Sequence, residues 1–171
     1  MSFSDSILEA AIGLASINSL IEVDTERCVE LNGGDLLVEK GKGQGCYRRP
    51  VLFIDKLRGI SSELTIIEKN PREGDLAQEN ADVVLPEADV VGVTGGALTN
   101  HTMDHLLSIC NPNTSVVVLG DTTPLSPVLF EYSVDAISGT MAVGSEQALR
   151  CVSKSANFRQ MRGIRLLTIL K

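Results

Sequence analysis

The segment 94–102, Thr-Gly-Gly-Ala-Leu-Thr-Asn-His-Thr, has residues suited to holding an anion. Gly95 and Gly96 would let backbone N–H groups approach a ligand closely, and the helix predicted after them would present the positive end of its dipole. The polar side chains available to a bound phosphate, carboxylate or other oxyanion are Thr94, Thr99 and Asn100. The alternative is structural: the two glycines form a tight turn, and a polar residue after them caps the helix.

His101 and His105 could contribute to a metal site. They are four residues apart, so on one helix they would share a face, with Asn100 and Asp104 beside them. A cation is disfavoured at a helix N-terminus, however, and short histidine motifs arise easily by chance. Surface or capping roles are therefore the alternative interpretation.

A polar loop follows the predicted strand at 64–68. Glu68 ends that strand where a Rossmann enzyme places an acidic residue on a ribose hydroxyl. Asn70 and Arg72 would extend a polar wall, with the planar donor fork of Arg72 facing an anionic group. The alternative is a solvated loop in which Arg72 pairs with a neighbouring carboxylate. No Gly-x-Gly-x-x-Gly fingerprint follows a strand here, so the sequence gives little support for a dinucleotide.

Two later turns supply further candidate ligand contacts. Asp121 and Thr122 follow one predicted strand and would face the ligand if that strand is central in the sheet. The Thr-Pro pair after them already has a structural explanation, as the N-cap and first residue of a helix. Gly139 and Thr140 follow the next predicted strand and would join the same set.

The sequence names no catalytic group. Cys110 ends an apolar helical pattern without a recognisable base beside it, which favours a buried structural role. No arrangement of Ser, His and Asp resembles a hydrolytic triad. Whether the protein is an enzyme is left open.

The charge balance excludes several classes of partner. Asp and Glu number 22 against 15 Lys and Arg, which gives a formal net charge of -7. Polyanions and anionic membranes require clustered basic residues, so neither nucleic acid nor a membrane is an expected partner. A small anionic or chelating ligand, and other copies of the chain in a homo-oligomer, remain as candidates.

The cysteines and the first residues predict a cytoplasmic protein. The cysteines at 28, 46, 110 and 151 show neither zinc nor disulfide spacing, which fits reduced thiols. The N-terminal apolar run lacks a basic region and is interrupted by polar residues, unlike a signal peptide. No apolar stretch approaches the length of a membrane span.

Strand-like and helical patterns alternate along the chain, which predicts βαβ units. The run 116–119 is apolar on both faces, as in a parallel strand covered by helices on each side. We expect one three-layer α/β domain over 1–171, Rossmann-like with a mostly parallel sheet. Its predicted strands are 64–68, 89–93, 115–120 and 134–137, and its predicted helices are 6–21 (with a Ser6–Glu9 capping box, packed on the sheet), 35–40, 99–110, 124–132 and 145–156. Turns after parallel strands share one edge of the sheet, so the candidate residues above should line one pocket.

Several strings resemble a known family in their order and spacing. They are NPREGDL at 70–76, LPEADVVGVTGGALTNHT at 85–102, TPLSPVLFEYSVDAISGT at 123–140 and FRQMRGIRLL at 158–167, with GLASINSLI at 13–21 and LLVEKGKG at 36–43. The sequence resembles the putative heavy-metal chelation family of uncharacterised Rossmann-like proteins. The resemblance implies a Rossmann-like domain, which in many members follows a smaller domain that is not expected in this chain.

The chain departs from that family pattern at two places. The stretch 44–50 is polar where members usually have a hydrophobic first strand. The resemblance places Val51–Leu57 on the following helix, begun by Pro50, although its composition favours a strand. Asp121 stands where the family usually has proline, which puts the ligand geometry of that turn in question.

These observations predict a protein that binds a small ligand at the carboxyl edge of its sheet. The family resemblance implies a metal ion or metal chelate, and the loops imply an anionic group. A metal inside an electron-rich chelate suits helix N-termini better than a bare ion. The alternatives are a nucleotide- or adenosyl-cofactor-dependent enzyme that uses Glu68 for a ribose, and a non-catalytic subunit with a vestigial pocket.

Overall fold

A computed structural model describes residues 2–40, the backbone of 45–47, and 64–171. The predicted helix at Val51–Leu57 lies outside these residues. The strands are β1 (Cys28–Val29), β2 (Gly45–Tyr47), β3 (Leu64–Glu68), β4 (Leu76–Ala77), β5 (Val90–Thr94), β6 (Ser115–Leu119), β7 (Ala136–Ala142) and β8 (Ile164–Leu170). The helices are α1 (Ile7–Leu20), α2 (Gly33–Lys40), α3 (Ala81–Val84), α4 (Gly96–Thr99), α5 (Met103–Ser108) and α6 (Ser145–Ser153).

The strands form one sheet in the order β1-β8-β7-β6-β5-β2-β3-β4. From β7 to β4 every neighbouring pair is parallel, and only β8 runs against its neighbours. The predicted α/β fold with a mostly parallel sheet is confirmed. The single-domain organisation over 1–171 stays a prediction.

Helices cover both faces of the sheet. Successive side chains of a strand point to opposite faces, so a single strand can pack against both helical layers. On one face Val117 packs with Leu37 of α2. On the other face Val116 and Val118 belong to the cluster that includes Leu106 of α5. The apolar run of β6 is therefore buried on both sides, as its sequence predicts. Among the described helices, none has both the length and the apolar character needed to cross a membrane.

The predicted turn after 134–137 is wrong. Strand β7 begins at Ala136 and continues through Gly139 and Thr140 to Ala142. The cause is β8, an antiparallel partner that pairs with β7 over its whole length and that the sequence analysis did not identify. Gly139 and Thr140 therefore lie in a strand near the carboxyl edge instead of in a loop.

The predicted helix at 99–110 is two short helices, α4 and α5. His101 lies between them with a left-handed φ of 58°, and the N–H of Thr102 donates to the carbonyl of Ala97 at 2.9 Å. This is the bond pattern that ends helices at a left-handed residue. The predicted helix at 124–132 is a 3-10 turn over Pro127–Tyr132, with buried Pro124 outside it.

The N-terminal helix is confirmed, but its predicted capping box is wrong. Ser6 makes no side-chain cap bond. Ser4 instead bonds to both residues of the predicted box, because its hydroxyl accepts from the N–H of Ser6 at 3.2 Å and donates to Glu9 at 2.6 Å. The helix contacts α4, and its buried residues are Ala10, Gly13 and Leu14.

Candidate functional site

The loop after β5 does not offer its first amides to a ligand. The N–H of Gly95 donates to the carbonyl of Leu119 at 2.9 Å, and the N–H of Gly96 donates to the hydroxyl of Thr94 at 3.3 Å. The hydroxyl of Thr99 donates to the carbonyl of Gly96 at 2.8 Å. Helix α4 has only four residues. These bonds support the tight-turn interpretation of this segment, and its binding of an anion stays a prediction.

Gly95 brings two loops at the carboxyl edge into contact. A Cβ atom on Gly95 would lie 2.6 Å from the backbone nitrogen of Thr123 and 2.8 Å from the hydroxyl of Thr122. Only glycine fits there without moving the loop after β6. Gly96 is different, because its nearest neighbour would be the hydroxyl of Thr94 at 3.6 Å. The structure thus brings Thr94, Gly95 and Thr122 together, as predicted from their positions after parallel strands.

A small cavity of about 40 Å³ lies at the carboxyl ends of β6 and β7. It unites Asp121, Gly139 and Thr140, which were predicted from two separate turns. The residues that line it are Asn32, Gly33, Leu119, Gly120, Asp121, Ser138, Gly139, Thr140, Phe158 and Leu166. Among these residues of the described chain, Asp121 is the only charged one.

A buried hydrogen-bond network fixes the wall of this cavity at the start of α2. The hydroxyl of Ser138 accepts from the N–H of Gly33 at 3.0 Å and lies 3.0 Å from the hydroxyl of Thr168. Thr168 donates in turn to the carbonyl of Leu31 at 2.7 Å. A Cβ on Gly33 would lie 2.6 Å from that of Ser138, so glycine is required for α2 to sit this close to β7. The side chain of Asn32 accepts from the next amide, that of Gly34, at 2.8 Å.

The carboxylate of Asp121 is the main electrostatic feature of the cavity. Asp121 is exposed to solvent, yet partial burial of its carboxyl group raises the pKa above the ordinary value of an aspartic acid. The charged form is therefore less well solvated than in water, and a positive charge nearby would stabilise it. None of the other lining residues that the structure describes carries a positive charge.

The loop after β3 lies farther along the sheet. Asn70 and Arg72 are exposed, and the backbone N–H of Arg72 donates to the carboxylate of Asp75 at 3.1 Å. Strand β2 separates β3 from β5, which places Glu68 about 10 Å across the sheet from Thr94 at the usual strand spacing. A shared pocket for these residues and the loops after β5 and β6 stays a prediction.

The two histidines do not lie on one helix face, so that prediction is wrong. His101 precedes α5, and its Nε2 lies 2.8 Å from the carbonyl oxygen of Ser4. His105, on α5, lies 2.9 Å from a carboxylate oxygen of Asp82. In the described part of the chain, no three His, Cys, Asp or Glu residues form a group that could hold a metal ion.

The sequence analysis missed four residues that shape the site. Asn32 and Gly33 precede the predicted helix at 35–40 and Ser138 follows the predicted strand at 134–137, and none of the three was predicted to belong to the site. Asn18 of α1 was also missed, although its side-chain amide donates to the carbonyl of Thr122 at 3.0 Å and so connects α1 to the carboxyl edge. The asparagine-glycine start of α2 was a usable signal, but its place beside β7 depends on tertiary packing.

Comparison with known proteins places the chain in a family. The model of DUF364, described as putative heavy-metal chelation, matches residues 45–171. The chain belongs to the DUF364 family. A DUF364 protein of unknown function from Desulfitobacterium hafniense DCB-2 is 27% identical, with a TM-score of 0.81 over 99% of this chain and 70% of that one.

A second DUF364 protein of unknown function, from Pyrococcus horikoshii, has the same fold. Its TM-score is 0.85 at 19% identity, over 99% of this chain and 72% of that one. Among curated proteins none matches the sequence. The predicted family resemblance is confirmed, and it carries the description of heavy-metal chelation without a defined ligand.

Proposed function

We propose that this DUF364 protein binds a small metal chelate at the cavity between the carboxyl ends of β6 and β7. The observation that carries the proposal is the carboxylate of Asp121, the only charged group among the described residues that line the cavity, whose pKa is raised by burial. A partly desolvated carboxylate gains from a positive charge placed against it. A metal ion whose chelator leaves a coordination position open would supply that charge.

A bare heavy-metal ion does not fit the described residues. Such ions usually take several thiolate, imidazole or carboxylate ligands from the protein. The described lining of the cavity offers one carboxylate, and the described residues hold no group of three such ligands. Most of the coordination sphere would therefore have to come from the chelator, with Asp121 completing it. The family description of heavy-metal chelation supports a ligand in which a chelator holds the metal ion.

The size of the cavity favours this ligand over a nucleotide. Pockets for drug-sized ligands enclose roughly 300–1,000 Å³. The cavity of about 40 Å³ accommodates an ion with its immediate ligands or the end group of a larger molecule. Glu68, the residue predicted to hold a ribose, ends a strand that is three positions from β6 in the sheet order.

Isothermal titration calorimetry with Ni²⁺–iminodiacetate tests the proposal, because this chelate leaves coordination positions open. The wild-type chain should bind the chelate more tightly than it binds free iminodiacetate or free Ni²⁺. Asp121→Asn keeps the shape of the side chain and removes its charge. We expect it to weaken binding of the chelate by roughly tenfold or more, the usual value of a charge-assisted contact.

Glu87→Gln is the matched control, because Glu87 is exposed and precedes β5 at the opposite edge of the sheet. It should bind the chelate like the wild type. Equal affinity of the Asp121→Asn and wild-type chains would show that the site is elsewhere. Tight binding of free Ni²⁺ with no gain from the chelator would show that the ligand is the bare ion.

A further inference from the structure

The cavity at the carboxyl ends of β6 and β7 has apolar residues beside Asp121. Three of its described lining residues are large and apolar, namely Leu119, Phe158 and Leu166. Three more are glycines, where backbone alone forms the lining. An apolar part of a ligand can therefore leave water here, which is favourable.

Two backbone amides at this cavity are already used within the chain. The N–H of Gly33 donates to the hydroxyl of Ser138 at 3.0 Å, and the N–H of Gly120 donates to the carbonyl of the same serine at 3.2 Å. The side-chain oxygen of Asn32 accepts from the N–H of Gly34 at 2.8 Å. A ligand group rich in hydrogen-bonding atoms would lose water against these groups without gaining equivalent partners, which costs free energy. A flat aromatic ring has few such atoms to satisfy.

Phe158 supplies an aromatic ring on a backbone that is held in place. It begins a 3-10 turn, Phe158–Gln160, which is closed by a capping box. The side chain of Gln160 accepts from the N–H of Asn157 at 3.0 Å, and the side chain of Asn157 accepts from the N–H of Gln160. The ring of Phe158 is partly buried and lines the cavity. A second aromatic ring would pack against it favourably, by stacking with an offset or edge to face.

The charge of the lining limits the chelator further. Asp121 is the only charged residue among the described lining residues, so the carboxylates of a chelator would find no positive side chain among them. Two such carboxylates would also cancel the net charge of a divalent metal ion, which weakens its attraction to Asp121. Neutral nitrogen donors leave that charge in place. The lining therefore favours a chelator that is uncharged.

We propose that the chelator bound at this cavity is a neutral aromatic nitrogen heterocycle. Its ring packs against Phe158, and its metal ion keeps its positive charge and faces Asp121. This inference rests on the proposed function, since it concerns the same cavity, and it adds the chemical class of the chelator. Phe158 selects for the ring, and Asp121 selects for the charge.

Four Ni²⁺ chelates with three donor atoms each separate the ring from the charge. Iminodiacetate and dipicolinate both carry two carboxylates, and only dipicolinate is aromatic. Diethylenetriamine and bis(aminomethyl)pyridine are the corresponding neutral chelators. In isothermal titration calorimetry with the full chain, each aromatic chelate should bind roughly threefold or more tightly than its aliphatic counterpart, because of the contact with Phe158. Each neutral chelator should give roughly tenfold or more tighter binding than its dicarboxylate counterpart, because of the charge facing Asp121.

Two variants assign these preferences to their residues. Phe158→Leu should remove the preference for the ring and still bind the two aliphatic chelates as the wild type does, which shows that the variant is folded. Asp121→Asn should remove the preference for neutral chelators. Tyr132→Leu is the matched control, because Tyr132 is 55% exposed and precedes β7 at the end away from the cavity. It should keep both preferences.

Failure of this inference and failure of the proposed function give different results. Binding of the iminodiacetate chelate that depends on Asp121, without a preference for aromatic or neutral chelators, would show that the site exists and that the class of chelator is wrong. A preference for the ring that Phe158→Leu leaves unchanged would also overturn the inference. If none of the four chelates binds, the inference and the proposed function are both wrong.

Discussion

Replacing Ser138 with alanine should destabilise the fold by removing one hydroxyl. Ser138 is buried, and its oxygen accepts the hydrogen bond from the N–H of Gly33 at 3.0 Å. Alanine keeps the Cβ that packs against Gly33, so the change adds no new contact. It leaves the N–H of Gly33 at the start of α2 without its acceptor, in a place where the backbone is buried.

The expected loss follows from the groups that remain. An unsatisfied buried donor costs about 1–3 kcal/mol. The hydroxyl of Thr168 loses one neighbour but keeps its bond to Leu31 at 2.7 Å, so it adds little. The cavity beside Ser138 could admit a water to the freed N–H, which favours the lower half of that range. In a chain of this size, 1 kcal/mol corresponds to roughly 2–4 °C in Tm.

Urea unfolding followed by circular dichroism measures the loss, and amide hydrogen exchange of Gly33 locates it. The matched control is Ser115→Ala, because the hydroxyl of Ser115 is buried and has no hydrogen-bond partner within the described structure. That change should be neutral or slightly stabilising. An unfolding free energy for Ser138→Ala within 0.5 kcal/mol of wild type (the usual range for surface changes), with the amide of Gly33 still protected, would refute the proposed role of this hydroxyl.

Three further outcomes are expected. Gly95→Ala should lower the unfolding free energy by about 1–3 kcal/mol, since its Cβ would meet backbone at 2.6 Å, whereas Gly96→Ala should be tolerated; equal effects in urea unfolding would contradict this. Because burial raises the pKa of Asp121, ionisation of this carboxyl destabilises the native state at neutral pH. Asp121→Asn should therefore raise Tm at pH 7. An increase in Tm that stays the same below about pH 4, where the carboxyl is protonated, would argue against this cause. Burial raises the pKa of Cys110 to about 11, so iodoacetamide at pH 8 should modify it about 100-fold more slowly than an ordinary peptide thiol, as followed by mass spectrometry.

The strands of the parallel core could be predicted from the sequence because their signals are local. Val116 to Leu119 form an uninterrupted apolar run, which indicates burial on both faces, and the turn residues after the run mark its end. The same reasoning located the carboxyl edge, where Gly95 and Thr122 do meet. Strand β8 was missed because Arg165 and Leu166, near its start, are exposed. Its residue pattern is therefore not that of a strand buried along its whole length.

Helix boundaries and the cavity depended on contacts between distant residues. The break between α4 and α5 arises at His101, whose left-handed conformation is uncommon for a residue other than glycine and which contacts the carbonyl of Ser4. The two histidines therefore could not be assigned to a helix face from their spacing. Ser138 likewise joins the cavity because β8 extends β7 beyond its predicted end and because α2 packs against it.

The sequence by itself determined the family, the α/β class and the edge of the sheet at which polar loops collect. The α/β class and the edge follow from periodicity and turn residues, which act over a few residues at a time, and the family follows from the resemblance of several strings in order along the chain. Only the tertiary structure decided which polar groups are free to bind. The amides of Gly95 and Gly96 are occupied by bonds within the chain, while Asp121 lies beside Asn32 and Ser138 at a cavity between elements far apart in sequence. Hydrogen-bond satisfaction and desolvation depend on which segments pack together, and that information is not local.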